Sequence, residues 1–101
     1  MSRLLDDEEI ARQLAELSGW ERDGRQIKRQ VSAPDFPTAI RIVDSIAVEA
    51  EEMNHHPDID IRWRNLGIVL STHDAGGITQ LDIELAHRIS AIVTAQGAAE
   101  H

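Results

Sequence analysis

The spacing of apolar positions along this chain changes repeatedly, and each change marks a boundary between elements. In "DDEEIARQLAELSGW", Ile10, Leu14 and Leu17 recur at helical spacing behind a run of acids, and Ser18-Gly19 stops the pattern, which predicts a first helix. "WERDGRQIKRQV" carries Asp23-Gly24, a favoured two-residue hairpin turn. Pairing outward from it sets Trp20 opposite Ile27 on one face of two short strands. Across residues 34–56, Phe36, Ile40, Val43, Ala47 and Ala50 trace one helical stripe, and Ile42, Ile46 and Met53 trace a second. A helix apolar on two sides is expected to be buried from two directions, with one stripe on the sheet. The stripe of Ile42, Ile46 and Met53 is then expected to pair with a neighbouring chain in a homodimer or homotetramer.

After Pro57 the period becomes two: Ile59, Ile61 and Trp63 alternate with Asp58, Asp60, Arg62 and Arg64, and Leu66, Ile68 and Leu70 continue beyond a turn at Arg64-Asn65. That turn sets Trp63 opposite Leu66, Ile61 opposite Ile68 and Ile59 opposite Leu70, with all six on the core side. "THDAGG" reads as a loop. A last helix opens with Thr79 and Asp82 at capping-box spacing and carries Leu81, Leu85, Ile89 and Ile92. The order helix, hairpin, helix, hairpin, helix predicts an α+β single domain, a four-stranded antiparallel sheet covered on one face by three helices. Its core spans about residues 6–96 of 1–101, and a frayed tail is expected at 97–101.

Composition narrows the function classes. A chain of 101 residues that is 42% hydrophobic suffices for one core. Acids outnumber bases 18 to 10, for a net charge of −8, and the bases are scattered, so neither nucleic acid nor an anionic membrane is an expected partner. Without cysteine there is neither a disulfide framework nor a thiol nucleophile. The opening "MSRLLDDEEI" lacks the apolar run of a signal peptide, and no later run approaches the roughly 18 residues of a membrane span, so a cytoplasmic protein is expected.

The candidate chemistry lies in "EAEEMNHHPDIDI". Pro57 disfavours the α conformation at His56, so the second helix must end beside the two histidines. A helix C-terminus favours imidazolium while burial favours the neutral ring, so imidazoles there can give and take protons near neutrality. Glu51 and Glu52 precede His55 and His56 by four residues each, so on a continuing helix each carboxylate reaches its own histidine. The hairpin runs out and back, which places His73 at the same end of the sheet as His56. The competing reading of a lone histidine at such a place is a simple helix cap. Three converging histidines also raise zinc, with Asp74 or Glu51 as a fourth ligand, but adjacent histidines are awkward co-ligands and the spacing matches no compact zinc signature. No metal and no cofactor are therefore expected. His87 reads as a surface residue, and His101 as terminal.

The segment "HHPDIDIRW…LSTHDAGGITQLDIELAHRI", with "GW" upstream, resembles the pterin-4a-carbinolamine dehydratases over roughly residues 17–93. Its most specific parts are the His-His-Pro triplet and the Thr-His-Asp-x-x-Gly-Ile-Thr segment; "IKRQV" and "AEEMNHHP" are similar too. The resemblance implies an enzyme that removes water from 4a-hydroxytetrahydropterin to give the quinonoid dihydropterin, with the pterin as substrate. It carries the catalytic role to His55, His56 and His73 and a supporting role to Glu51. Asp74 stands in the same segment, and Arg29, aligned with Ile27 and Val31, is a candidate for holding the ring. His55 and His73 suit the two proton transfers, and His56 suits ligand placement or a second proton role. The chain departs from the family at Asn54, where many relatives have Asp, at Ile59 and Trp63, and at Val31 and Ile40, which replace aromatics. Relatives also act as transcription-factor partners or assembly helpers, so a non-catalytic dimerising module is the alternative.

Overall fold

The computed structural model describes residues 3–100, the side chain of Glu100 excepted; the expectation about His101 falls outside them. Helix α1, Asp7–Leu14, opens on a capping box in which Asp6 accepts from the Glu9 amide and Glu9 accepts from that of Asp6. It is shorter than its apolar pattern: beyond Leu14 the chain tightens into turns, which still deliver Leu17 to the core.

Strands β1, Glu21–Asp23, and β2, Gln26–Ser32, form the first hairpin. Its two loop residues are Gly24 and Arg25 rather than Asp23 and Gly24, so Arg22, not Trp20, lies opposite Ile27. The reason is turn type. Gly24 alone takes a positive φ, +62°, at the first loop position, as a II′ turn requires, whereas the I′ turn expected of Asp-Gly needs positive φ at both. Trp20, just before β1, is buried instead against α3, Gln80–Ala95, where its indole N–H donates to Ser90 Oγ at 3.0 Å.

Helix α2, Phe36–Met53, starts on Asp35, whose carboxylate accepts from the Thr38 amide. The stripe expected to meet a neighbouring chain packs inward instead, and the other is divided, with Ala50 buried and Val43 packed against the core. Ile42 and Ile46 are fully buried and Met53 packs on the same core, all within the chain's own fold, while Phe36 is 47% exposed and Ala47 lies at the surface. The contact between chains expected of Ile42, Ile46 and Met53 is therefore unavailable to them.

Strands β3, Asp58–Arg62, and β4, Asn65–Leu70, follow. Their loop is Trp63-Arg64, one residue earlier than the pattern suggested, so Ile61 lies opposite Leu66 and Ile59 opposite Ile68. Moving the turn by one residue moves each partner by two and leaves every side chain on its face. Trp63 leaves the core: it takes φ 57°, stands 67% exposed, and lies under the Arg64 guanidinium, 4.9 Å from the ring centroid. Arg64 is anchored by the Ala33 amide donating to its carbonyl and by its own Nη1 donating to the Ala33 carbonyl, both at 2.9 Å, and this clamp sets the turn.

The sheet runs β1-β2-β4-β3, antiparallel throughout. Within the segment expected to fray, Ala99–Glu100 forms a short fifth strand, β5, on the β1 side of β2. Ile27, Val31, Leu66, Ile68 and Leu70 point from the sheet into a core closed by Ile42 and Ile46 of α2 and by Ile83, Leu85, Ile89 and Val93 of α3. The opposite sheet face is polar, with Gly67 between its cross-strand neighbours Gln30 and Asp60. Among the described residues no helix is long and apolar enough to cross a membrane.

Because Ile46 lies wholly within the chain's own core, Ile46→Ala is expected to lower the unfolding free energy by about 2–5 kcal/mol. Urea titration checks this. A loss below about 0.5 kcal/mol would place Ile46 outside a packed core.

Candidate active site

The end of α2 is built by Asn54. It takes the left-handed conformation, φ 50°, which asparagine tolerates better than most residues. Its N–H reaches the carbonyls of Ala50 and Glu51, and the His55 N–H donates to the Ala50 carbonyl at 3.0 Å, closing the helix in the manner of a Schellman motif. Pro57 then bars further helix and β3 begins at Asp58. His55 and His56 thus occupy a short link after the helix has ended, one turned inward and buried, the other exposed.

The hairpin brings the second half of the site back to this end. Asp58 pairs with Val69, so the chain before β3 and the chain after β4 emerge side by side. Beyond Leu70, Ser71 Oγ donates to the Arg25 carbonyl at 2.8 Å. Thr72 and Gly77 close a loop on each other, their backbone bonds measuring 2.8 and 3.3 Å. His73–Ala75 forms a single 3₁₀ turn at its tip. Asn54, His55, His56, Ser71, Thr72, His73 and Asp74 line one cleft of about 230 Å³. Larger hollows lie over Gly67 and between α1 and α3, but their linings hold no histidine.

Each histidine meets different surroundings. The His55 ring, 8% exposed, has Nε2 2.6 Å from Oδ1 of Asp82. Asp82 is fully buried at the third position of α3, where its Oδ2 accepts from the Thr79 amide at 2.9 Å and from the Thr72 hydroxyl at 2.8 Å. The capping box was legible in the sequence; the contact to His55 was not. A signal was nevertheless present. Asp82 shares a helical face with Leu85, Ala86, Ile89 and Val93, and an acid on a buried stripe requires a polar partner.

The expected pairing of Glu51 with His55 and Glu52 with His56 does not form. Asn54 breaks the helical repeat, so Glu51 meets Nε2 of His56 instead, and both of these side chains are exposed. Glu52 turns to Arg88 of α3, which also binds Glu49 and Glu84 and clamps α2 to α3; these carboxylates, Glu52 foremost, hold the Arg88 guanidinium above its ordinary pKa. Arg29 is not brought to the cleft. It lies on the core face of β2, buried, with Nη1 donating to Ser90 Oγ at 3.0 Å. Ser90 is eight residues, or about 12 Å of helix, beyond Asp82. Among the described residues no group of three or more His, Asp or Glu side chains is disposed to hold a metal ion. The cleft therefore presents three imidazoles, two of them backed by carboxylates, a set suited to moving protons.

Comparison with known proteins identifies the family of the chain. The family model described as pterin 4 alpha carbinolamine dehydratase matches residues 3–92. A relative from Roseiflexus castenholzii, provisionally named a pterin-4-alpha-carbinolamine dehydratase, is 50% identical over 93 residues, covering 92% of this chain and 100% of its own. One from Nocardia farcinica, under the same provisional name, is 53% identical over 88 residues, covering 87% and 93%. Among solved structures, a transcriptional coactivator/pterin dehydratase from Brucella melitensis superposes with a TM-score of 0.84 at 36% identity, over 87% of this chain and 96% of that one. A pterin dehydratase-like RuBisCO assembly factor of the α-carboxysome shares the fold alone, with a TM-score of 0.63 at 19% identity over 73% and 88% of the two chains. By the family model and by these levels of identity, the chain belongs to the pterin-4a-carbinolamine dehydratase family.

Proposed function

We propose that this protein dehydrates 4a-hydroxytetrahydropterin to the quinonoid dihydropterin, in the cytoplasm, as a step in recycling a tetrahydropterin. The observation that carries the reading is the convergence of His55, His56 and His73 on one cleft in a chain of this family. The reaction breaks the C4a–O bond. Hydroxide is a poor leaving group, so the oxygen must gain a proton, and the ring nitrogen that forms the new double bond must lose one; one water leaves and no electrons are exchanged. An imidazolium and a neutral imidazole on opposite sides of the ring supply both transfers. His55 and His73 take these two roles, coming from different segments across the cleft. His56, exposed and tethered to Glu51, places the ligand, and Asp74 contributes polar contact at the rim. No metal or cofactor takes part in this scheme.

A second feature supports self-association. Phe36 and Val48 of α2, and Ile61 and Trp63 at the β3 end, are exposed large apolar side chains that the chain's own core leaves uncovered. A homodimer or homotetramer burying one or both groups fits them, and Phe36 takes over the role that Ile42 and Ile46 cannot fill. The same surfaces would serve a non-catalytic interaction module, the reading to adopt if the purified protein lacks turnover.

Turnover is decided by following quinonoid dihydropterin formation over the spontaneous background. The wild-type protein should accelerate it and keep doing so after exhaustive chelation, whereas a rate equal to background would sink the dehydratase reading. His73→Ala is expected to lower kcat by about 10²–10⁴. His56→Ala should mainly raise KM, and His87→Ala should alter neither; equal small effects at all three would reduce the histidines to helix caps and surface residues.

Sedimentation equilibrium addresses assembly. The wild type is expected to be a dimer or tetramer at micromolar concentration, and Phe36→Glu or Trp63→Lys should shift it toward monomer with its circular dichroism unchanged. A wild-type monomer would refute the assembly.

A further inference from the structure

Asp82 is fully buried, carries an ionisable group, and has no part in the proton circuit proposed above. Its surroundings specify nearly every hydrogen around it. The Leu81 amide donates to Thr79 Oγ1 at 3.2 Å. The two threonine hydroxyls lie 2.8 Å apart, and since the Thr72 hydroxyl donates to Asp82 Oδ2, the bond between them takes its hydrogen from Thr79. The Thr79 amide donates to the same Oδ2. That oxygen therefore receives two donors and has no room for a proton of its own. What remains is Oδ1, 2.6 Å from Nε2 of a histidine that lines the cleft.

We propose that Asp82 is a positioning residue: by accepting from Nε2–H of His55 it holds the neutral ring in the tautomer with Nδ1 bare, so that His55 exchanges protons with substrate through Nδ1. One carboxylate then has two tasks. Oδ2 closes the N-terminus of α3 and receives Thr72 from the end of β4, and Oδ1 orients the imidazole at the end of α2. The geometry of three elements is tied to the protonation pattern of one ring. The role in turnover rests on the dehydratase reading; the tautomer itself does not.

The two are separable by experiment. In Asp82→Asn the amide has one oxygen for sites that held two. Both Thr72 and Thr79 present donors, so the oxygen turns to them and the NH₂ turns to His55. Nε2 must then accept, and the ring proton moves to Nδ1. Long-range ¹⁵N–¹H correlation spectra of the full-length protein, recorded at alkaline pH, read this directly. In the wild type Nε2 of His55 should show the shift of a protonated nitrogen and Nδ1 that of a bare one, and in Asp82→Asn the two should exchange. The variant's kcat is expected to fall by about 10²–10⁴ with KM little changed, as for a histidine held in the wrong tautomer. Thr72→Val, which removes one donor from Oδ2 and leaves Oδ1 in place, should keep the wild-type tautomer.

A wild-type spectrum with the proton on Nδ1 overturns the proposal without need of any variant, so it remains testable even if Asp82→Asn fails to fold. An unchanged tautomer in a folded Asp82→Asn overturns it as well, as does an unchanged kcat in a protein that turns over. The predicted tautomers in a protein without turnover would support the positioning role and reject the dehydratase reading.

Discussion

A carboxylate with no exposed surface anchors the end of this domain that carries the histidine cleft. Asp82 sits where α3 begins, β4 has just ended and α2 has just stopped, and it bonds to all three regions through Thr79, Thr72 and His55. A buried charge is tolerated only when its lone pairs are occupied, and removing one partner from such a pair costs on the order of 3–5 kcal/mol. The three segments are thus held in mutual position by the requirement that this group be satisfied. The hydrophobic core beneath is non-directional and would accept small slides of α2 along the sheet. The hydrogen bonds around Asp82 would not.

The other half of the site depends on where the chain leaves the helix. Asn54 closes α2 in the left-handed conformation, Pro57 prevents its resumption, and the two histidines between them point to opposite environments. Asn54 suits a left-handed cap, and its amide places a neutral group in the wall of the cleft. The exposed pair of His56 and Glu51 is a consequence of the same cap, since a continuous helix would have brought Glu51 to His55.

Much of the fold was readable because periodicity reports faces. The alternation of Ile59 and Ile61 with acids placed them on one face regardless of register, and the observed displacement of the turn to Trp63-Arg64 left that face intact. Which residues form a turn is decided differently. Ala33, just past the end of the adjacent strand β2, clamps Arg64, and no local pattern announces a contact 31 residues away. The stripes of α2 illustrate the same limit. Both Phe36-Ile40 and Ile42-Ile46 are legitimate helical faces, and only the presence of Ile27, Leu66 and Ile68 opposite one of them selects Ile42 and Ile46 for full burial.

The sequence by itself determined the order of elements, the single α+β domain, the ends of α2 and α3, and the gathering of His55, His56 and His73 at one end of the sheet, because these follow from period, capping chemistry and the out-and-back path of a hairpin. Tertiary structure decided the partners: Asp82 for His55, Glu51 for His56, Ser90 for Arg29 and Trp20. Those pairs join residues whose backbones meet only when helices settle on the sheet, except Glu51 with His56, which required the left-handed turn between them. A side-chain contact of a few ångströms depends on helix rotation and strand register together, and residue spacing along a chain constrains each of these only to a face.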